Sequence, residues 1–338
     1  MPYMGGKARI AAAVWQRFGD VPNLVEPFAG SLAVLLARPD SHRWWERTET
    51  ANDADGLLAN YWRATQADPD AVAQWADRPI HECDLHAIHA YLVAHMGDLQ
   101  AWLEGDPDYY DAKMAGWWLF GICLWIGTGF CSGEGPWQVE GGQLVHLGNA
   151  GRGINRQRVH LGPWSGGNGI NRRVDLPDIA PDGSGHADAW SAHLRATMQR
   201  LADRLRRVRV CCGDWARVCG PSPTFKHGLT GVFLDPPYST VDRQADLYRV
   251  DSGDVAAEVM AWAIANGDNP LLRIAVCGYE GHFPVPAGWE CFAWKTQGGY
   301  GSQGEGRGRK NAAREVVYFS PHCLKVDLFS WAEGEAGS

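Results

Sequence analysis

The sequence predicts an α/β chain in which a mostly parallel sheet is split by a long insertion. Three observations carry this. Short apolar runs end in acids or glycine turns and give way to helix-spaced apolar residues, the strand–turn–helix alternation of a parallel sheet. Strand-like runs recur far along the chain, at 208–212, 231–234, 272–277 and 315–319. Between the two groups lie about 130 residues of different character, too many for a structureless loop in a compact domain.

In order, Asn23-Leu-Val-Glu26 reads as a strand, Pro27 to Ser31 as a glycine turn, and Leu32, Leu35 and Leu36 as the apolar face of a helix. A second strand ends at Asn52-Asp53 and is followed by the helical stretch GLLANYWRA. Residues 65–130 read as helical and rich in tryptophan, including GWWLFGICLWIGTGF at 116–130. Residues 131–190 are rich in Gly, Asn, Arg and Pro with little period. They hold a near-repeat, GRGINRQRV at 151–159 and GNGINRRV at 167–174, that suggests paired loops or a twisted hairpin. Leu194, Met198, Leu201, Leu205 and Val208 then follow the 4,3,4,3 spacing of one helix face. A helix over 254–265 falls between the strands at 231–234 and 272–277.

A chain of 338 residues implies two domains, or one large domain with an insertion. Hydrophobic residues at 45% and charged residues at 21% exclude long disorder and collagen-like repeats. No apolar run approaches the ~18 residues of a membrane span. MPYMGGKARI lacks the apolar stretch of a signal peptide, so a cytoplasmic protein is expected. The net charge of −8 argues at first against nucleic acid, whose phosphates are met by Lys and Arg. That charge is concentrated, however. Residues 65–112 hold ten acids and one base, leaving the rest of the chain at +1. Residues 141–173 carry five arginines and no acid, and 193–209 carry six arginines against Asp203. A local basic face acts over the screening length of about 8–10 Å whatever the net charge. For 193–209, a solvated helix face is an equally good reading.

Nine scattered cysteines with no C-x-x-C indicate neither a disulfide framework nor a zinc ribbon. His81, Cys83, His86 and His89 have a loose metal-like spacing, but a surface helix rich in His accounts for them better, and no metal is expected.

The chemistry is carried by Asp235-Pro236-Pro237-Tyr238, directly after the strand Gly231-Val-Phe-Leu234. A carboxylate at the carboxyl end of a parallel strand lies where α/β sheets bind ligands. The prolines withhold N–H donors and leave carbonyls as acceptors, and Tyr238 offers a stacking face. Acceptors beside a π-face suit a planar ring bearing an exocyclic NH2. The blander reading is a strand-ending turn.

Together with Tyr3-Met-Gly-Gly-Lys7, Glu26-Pro-Phe-Ala-Gly-Ser31, Asn52-Asp53 and Cys212-Gly-Asp214, in that order, this tetrapeptide resembles the Dam-like DNA adenine methyltransferases, particularly phage-encoded members. KNAAREVVYFSP resembles that family's last strand, and the likeness covers about 200 residues at the two ends of the chain. The resemblance implies a Rossmann-like seven-stranded methyltransferase sheet interrupted by an inserted helical and loop-rich target-recognition domain. Residues 1–64 and 191–338 would form the catalytic domain that binds S-adenosyl-L-methionine. Residues 65–190 would form the insertion, with an acidic helical part at 65–130 and a Gly/Arg-rich recognition part at 131–190.

By the same resemblance, Glu26, Phe28, Ala29 and Gly30 form the cofactor loop, and Asp53 takes the ribose hydroxyls with Asp55 as its competitor. Asp214 lies by the cofactor's adenine, while Tyr3 and Lys7 line the pocket with the Lys7 ammonium suited to the methionine carboxylate. A helix cap is the alternative role for Asp53 or Asp55. Where the family commonly has F-x-G-x-G, this chain has Phe28-Ala-Gly30-Ser-Leu32, with one glycine in place of two.

The reaction implied is transfer of a methyl group to the N6 of a flipped adenine, held by Asp235, Pro236, Pro237 and Tyr238. The partner is DNA, double-stranded by expectation, and the chain is a monomer by default. Asn155, Arg156, Arg158, Asn171, Arg172 and Arg173 are the candidates for DNA contact, since Asn pairs with adenine edges and Arg with guanine or phosphate. Methylation of cytosine N4 or of RNA fits the same tetrapeptide, and a methylase-like DNA-binding protein without turnover is the alternative of another class.

Overall fold

The computed structural model describes residues 7–39, 46–106, 108–125, 130–131, 137–140, 143–146, 187–237, 255–281, 286–293 and 315–325. Helix α1 (Ala11–Phe18) leads into β1 (Asn23–Glu26), whose four residues are all buried, and a tight turn delivers the one-turn helix α2 (Ala33–Leu36). Strand β2 (Thr48–Asp53) precedes α3 (Gly56–Ala67), which starts where the Asp55 side chain accepts the Leu57 N–H.

Four helices follow: α4 (Pro69–Ala76), α5 (Glu82–His95), α6 (Leu99–Gly105) and α7 (Ala112–Leu124). Asp68 caps α4 with Pro69 in its first turn, and Asp111 caps α7, so part of the acidic charge of 65–112 starts helices. Strands β3 (Trp137–Glu140) and β4 (Gln143–His146) pair as an antiparallel hairpin. Helix α8 (Ala187–Leu205) returns the chain to the sheet, which continues through β5 (Val208–Cys212), β6 (Thr230–Leu234), α9 (Val255–Asn266), β7 (Leu272–Tyr279), β8 (Glu290–Ala293) and β9 (Glu315–Phe319).

Seven strands form one mixed sheet in the order β5-β2-β1-β6-β7-β9-β8, with β9 antiparallel to both its neighbours. That is the strand order of the Rossmann-like methyltransferase fold, as the sequence led us to expect. The order reverses between β1 and β6, so the carboxyl ends of these two strands open a crevice at the switch point.

Alternation along the strands divides the core. Phe233, Ala275, Cys277, Val317 and Phe319 face α1, α3 and α8, in a cluster that runs on through Val72, Leu85 and Leu119 of the inserted helices. Val232, Leu234, Ile274, Val276 and Tyr318 face Val259, Met260 and Ala263 of α9. Helix α7 approaches α4 at Gly116, where a Cβ would lie 2.4 Å from the Trp75 Cβ and 2.7 Å from the Val72 carbonyl oxygen.

Helix α8 buries Leu194, Met198 and Leu205 as its spacing indicates. Val208 is not on that helix face: it enters the β5 ladder opposite Glu49, because the helix ends at Leu205. Arg204 of the arginine-rich stretch is committed to the fold. It grips Glu49 through Nη1–Oε2 at 2.7 Å and Nη2–Oε1 at 2.9 Å, and Arg38 Nη1 meets Oε1 at 3.1 Å. Two inserted acids also bind α8: Asp70 accepts from Gln199 at 2.9 Å, and Asp77 from Ser191. Among the described residues, no helix is long and apolar enough to cross a membrane.

Candidate active site

The turn after β1 is knitted to β2 and α3. The Ala29 N–H donates to the Asn52 carbonyl at 2.8 Å, the Gly30 N–H to Asp53 Oδ2 at 3.1 Å, and Trp62 Nε1 to the Gly30 carbonyl at 3.2 Å. The backbone turns left-handed at Gly30 (φ 47°) and again at Leu32 (φ 56°, ψ 30°). Leu32 is the last residue of the Phe28-Ala-Gly-Ser-Leu32 loop, so a leucine and not a glycine carries the second left-handed turn. The αL conformation costs a non-glycine residue about 1–2 kcal/mol. Complete burial of the Leu32 side chain offsets that cost.

A reversed stability order follows. Leu32→Ala keeps the backbone cost and loses the side chain, for about 2–5 kcal/mol, whereas Leu32→Gly loses the same side chain but enters αL freely. In urea denaturation the glycine variant is expected to be the more stable of the two by about 1 kcal/mol. A glycine variant less stable than the alanine one would show that the left-handed backbone carries no such cost.

Around this turn the ends of β1, β2 and β5 present polar groups. The Asp53 carboxylate accepts Gly30 N–H through Oδ2 and Asp55 N–H through Oδ1, at 3.1 and 3.0 Å. Asp55 caps α3, the role weighed against a ribose contact for it. Asn52 donates through Nδ2 to the carbonyls of Pro27 (3.0 Å) and Gly213 (2.9 Å), bracing the turns after β1 and β5. Its Oδ1 is buried without a partner among the described residues. Asp214 is exposed and starts a 3-10 turn by accepting the Ala216 N–H, while Trp215 beyond it stacks on Phe28 at 6.1 Å.

Glu26 ends β1 fully buried. Burial is the main cause that pushes its carboxyl up to about 8, opposed by a hydrogen bond from the Leu35 backbone and helped by the nearby charges of Glu49 and Asp235. Its Oε1 also has no partner among the described residues. At neutral pH the group is largely an uncharged carboxylic acid beneath the glycine turn.

On the other side of the switch point, Asp235 follows β6. The buried Lys7 ammonium, delivered by the segment before α1, lies 3.2 Å from Asp235 Oδ1 and 3.9 Å from Glu315 Oε2. The sequence suggested the methionine carboxylate as the Lys7 partner; among the described residues its partners include these two carboxylates. Burial raises the Glu315 carboxyl, Lys7 draws it down, and Asp235 raises it further. Cys277 of β7 lies beside Asp235 in the sheet register; burial pushes its thiol well up, and the Asp235 charge adds to this.

The structure thus gathers Lys7, Glu26, Phe28, Ala29, Gly30, Asp53, Asp214, Asp235, Pro236 and Pro237 along the carboxyl ends of the parallel strands and the segment before α1. Tyr3, Tyr238, Asn155, Arg156, Arg158, Asn171, Arg172 and Arg173 lie outside the described residues. Asn52, Trp215, Cys277 and Glu315 were not singled out from sequence as site residues. Asn52 and Cys277 carried usable signals, one being half of Asn52-Asp53 and the other a polarisable atom near a strand's carboxyl end.

His89 stacks on Trp125 at 4.9 Å with His86 at the edge of the same ring, and no group of three or more His, Cys, Asp or Glu is arranged to hold a metal among the described residues. No model of a known protein family matches the sequence, and no curated protein matches it. The sheet topology is that of the class I S-adenosylmethionine-dependent methyltransferases, and it is consistent with methyl transfer in general.

Proposed function

We propose that this protein methylates the exocyclic N6 of adenine in DNA, with S-adenosyl-L-methionine as methyl donor. The observation that carries the reading is Asp235-Pro236 at the end of β6, across the switch point from the glycine turn of β1, with its carboxylate gripped by a buried lysine.

The residues at the switch point fit the cofactor. Glu26 Oε1 is a buried acceptor awaiting a donor, which suits the α-amino group of a methionine end. Asp53, a carboxylate at the end of β2, is placed for ribose hydroxyls, and Phe28 with Trp215 forms an apolar wall beside Asp214 that suits an adenine ring. When bound, S-adenosylmethionine supplies an electrophilic methyl group.

The chain's own part is to hold the amine. The Asp235 carboxylate and the Pro236 carbonyl accept its two hydrogens, which turns the nitrogen lone pair away from the ring and toward the methyl group. Proline at 236 and 237 leaves no N–H to compete for that lone pair. Holding nucleophile and methyl group in line supplies much of the acceleration, and no covalent enzyme intermediate is required. Lys7 fixes the carboxylate by charge. A duplex base reaches this crevice only when flipped, at a cost of a few kcal/mol, and Tyr238 supplies the face it stacks on. Asn155, Arg156, Arg158, Asn171, Arg172 and Arg173 are assigned to DNA from the acid-free, arginine-bearing sequence around them.

The test is mass spectrometry of nucleosides after incubating the protein and cofactor with unmethylated genomic DNA and, separately, with total RNA. N6-methyladenine in the DNA is the expected product. N4-methylcytosine would move the reaction to the other exocyclic amine, and methylation confined to RNA would change the substrate. No modified nucleoside in either, from protein that binds the cofactor, would leave a binding protein without turnover.

A further inference from the structure

The sheet register sets an unexpected group beside the acid that would hold the substrate amine. Leu234 of β6 pairs in register with Val276 of β7, so the next residues along, Asp235 and Cys277, are neighbours on the same face. Across the antiparallel ladder, Cys277 faces Val317 and Tyr279 faces Glu315, which brings Glu315 to that face as well. Lys7 covers this face from the segment before α1. Four polar groups therefore meet in a place that is otherwise apolar: Phe233, Ala275, Val317 and Phe319 continue the same face as core.

A cysteine so placed reads as one more small core residue, at 2% exposure. Its sulfur nevertheless sits beside the Asp235 side chain, the next position along in the β6–β7 register. Burial pushes the thiol well above its ordinary value, and the Asp235 charge adds to this, so the sulfur carries its proton across the working pH range. A protonated thiol beside a carboxylate can only be the donor of a hydrogen bond between them.

We infer that Cys277 is a positioning residue for methyl transfer: its thiol donates to the Asp235 carboxylate and, with Lys7, holds it in the one orientation that accepts the substrate amine. The inference rests on the proposed role of Asp235. A carboxylate has about four acceptor sites, and Cys277 and Lys7 together occupy part of that capacity. An ion pair such as that with Lys7 is weakly directional, whereas a thiol donor at a fixed register position limits how the side chain turns about its χ angles.

The expected kinetic result is a split. Cys277→Ala lowers the rate of N6-methyladenine formation in unmethylated genomic DNA by roughly tenfold to a hundredfold, the penalty for a slightly misplaced group. Its dissociation constant for S-adenosylmethionine is unchanged, because no cofactor-binding residue is touched. Cys277→Ser, whose hydroxyl donates in the same place, restores most of the rate. A serine variant as slow as the alanine one, or an alanine variant within twofold of the parent, overturns the inference.

A second measurement does not depend on turnover. In infrared difference spectra against Cys277→Ala, the Cys277 S–H stretch is expected at a lowered frequency. It should rise toward that of a free thiol in Asp235→Ala. A band that Asp235→Ala leaves in place overturns the hydrogen bond itself. A band that moves, in a protein that methylates no nucleic acid, keeps the hydrogen bond and places the failure in the proposed function.

Discussion

Asp235→Ala is expected to lower methyl transfer by about 10³–10⁴-fold while leaving the cofactor's dissociation constant nearly unchanged. The two effects separate because the cofactor residues belong to the ends of β1, β2 and β5, whereas Asp235 follows β6 on the other side of the switch point. Removing an acceptor that acts mainly on the developing positive charge of the amine affects kcat more than substrate binding. Asp235→Asn keeps an oxygen acceptor but loses the charge, and an intermediate loss of about 10²–10³-fold is expected. The alanine variant should still fold. The buried Lys7 retains Glu315 at 3.9 Å and is not left without a counter-charge. Single-turnover kinetics beside calorimetric titration of the cofactor would read both quantities. Turnover retained within tenfold in Asp235→Ala would remove this residue from the chemistry.

The largest effect on stability is expected at Glu49→Gln, at about 3–5 kcal/mol near neutral pH. Glu49 is buried in β2 between Arg38 and Arg204, and Arg38 is itself buried, so an uncharged partner strands guanidinium charge in the core. Burial alone would raise the Glu49 carboxyl. The hydrogen bond and charge of Arg204, then those of Arg38, outweigh it and hold the carboxyl below its ordinary value of 4.5. A group depressed in the folded state stabilises above its unfolded value and loses that contribution as pH falls through the folded one. The gap between parent and variant in urea should therefore be widest near neutrality and narrow progressively below pH 4.5. A gap that does not change with pH would mean that lost packing, and not lost charge, causes the destabilisation.

Much of the sheet was legible because its strands obey local rules. Val208–Cys212 and Glu315–Phe319 were bounded correctly, and the strands at 231–234 and 272–277 differ from β6 and β7 only at their ends. Strand β8 was not foreseen. Glu-Cys-Phe-Ala alternates between half-buried and exposed at the sheet edge and has no apolar run to announce it. The hairpin of β3 and β4 lies in a stretch read as loop-rich, although Gly141-Gly142 between two short β-prone runs is a hairpin signal. In the site, Asp235 was legible from its place after a strand. Its grip by Lys7 was not, because residues 228 positions apart meet only once the sheet has formed. The same holds for Trp215 against Phe28 and for Arg204 on Glu49. The left-handed Leu32 had a visible trace, a leucine at a position suited to glycine, but its burial could not be read from the chain.

Helix α4 packs against both α7 and α8, the helices that precede and follow the Gly/Arg-rich stretch. The stretch thus leaves and rejoins one packed group of helices, which α3 joins to the sheet. Doubling the length of such a tethered segment adds only about 0.6 kcal/mol of closure cost. Under the proposed function, a lineage built on this plan changes what it reads by exchanging the sequence between α7 and α8, much as a tool is changed in a chuck, while the sheet stays as it was.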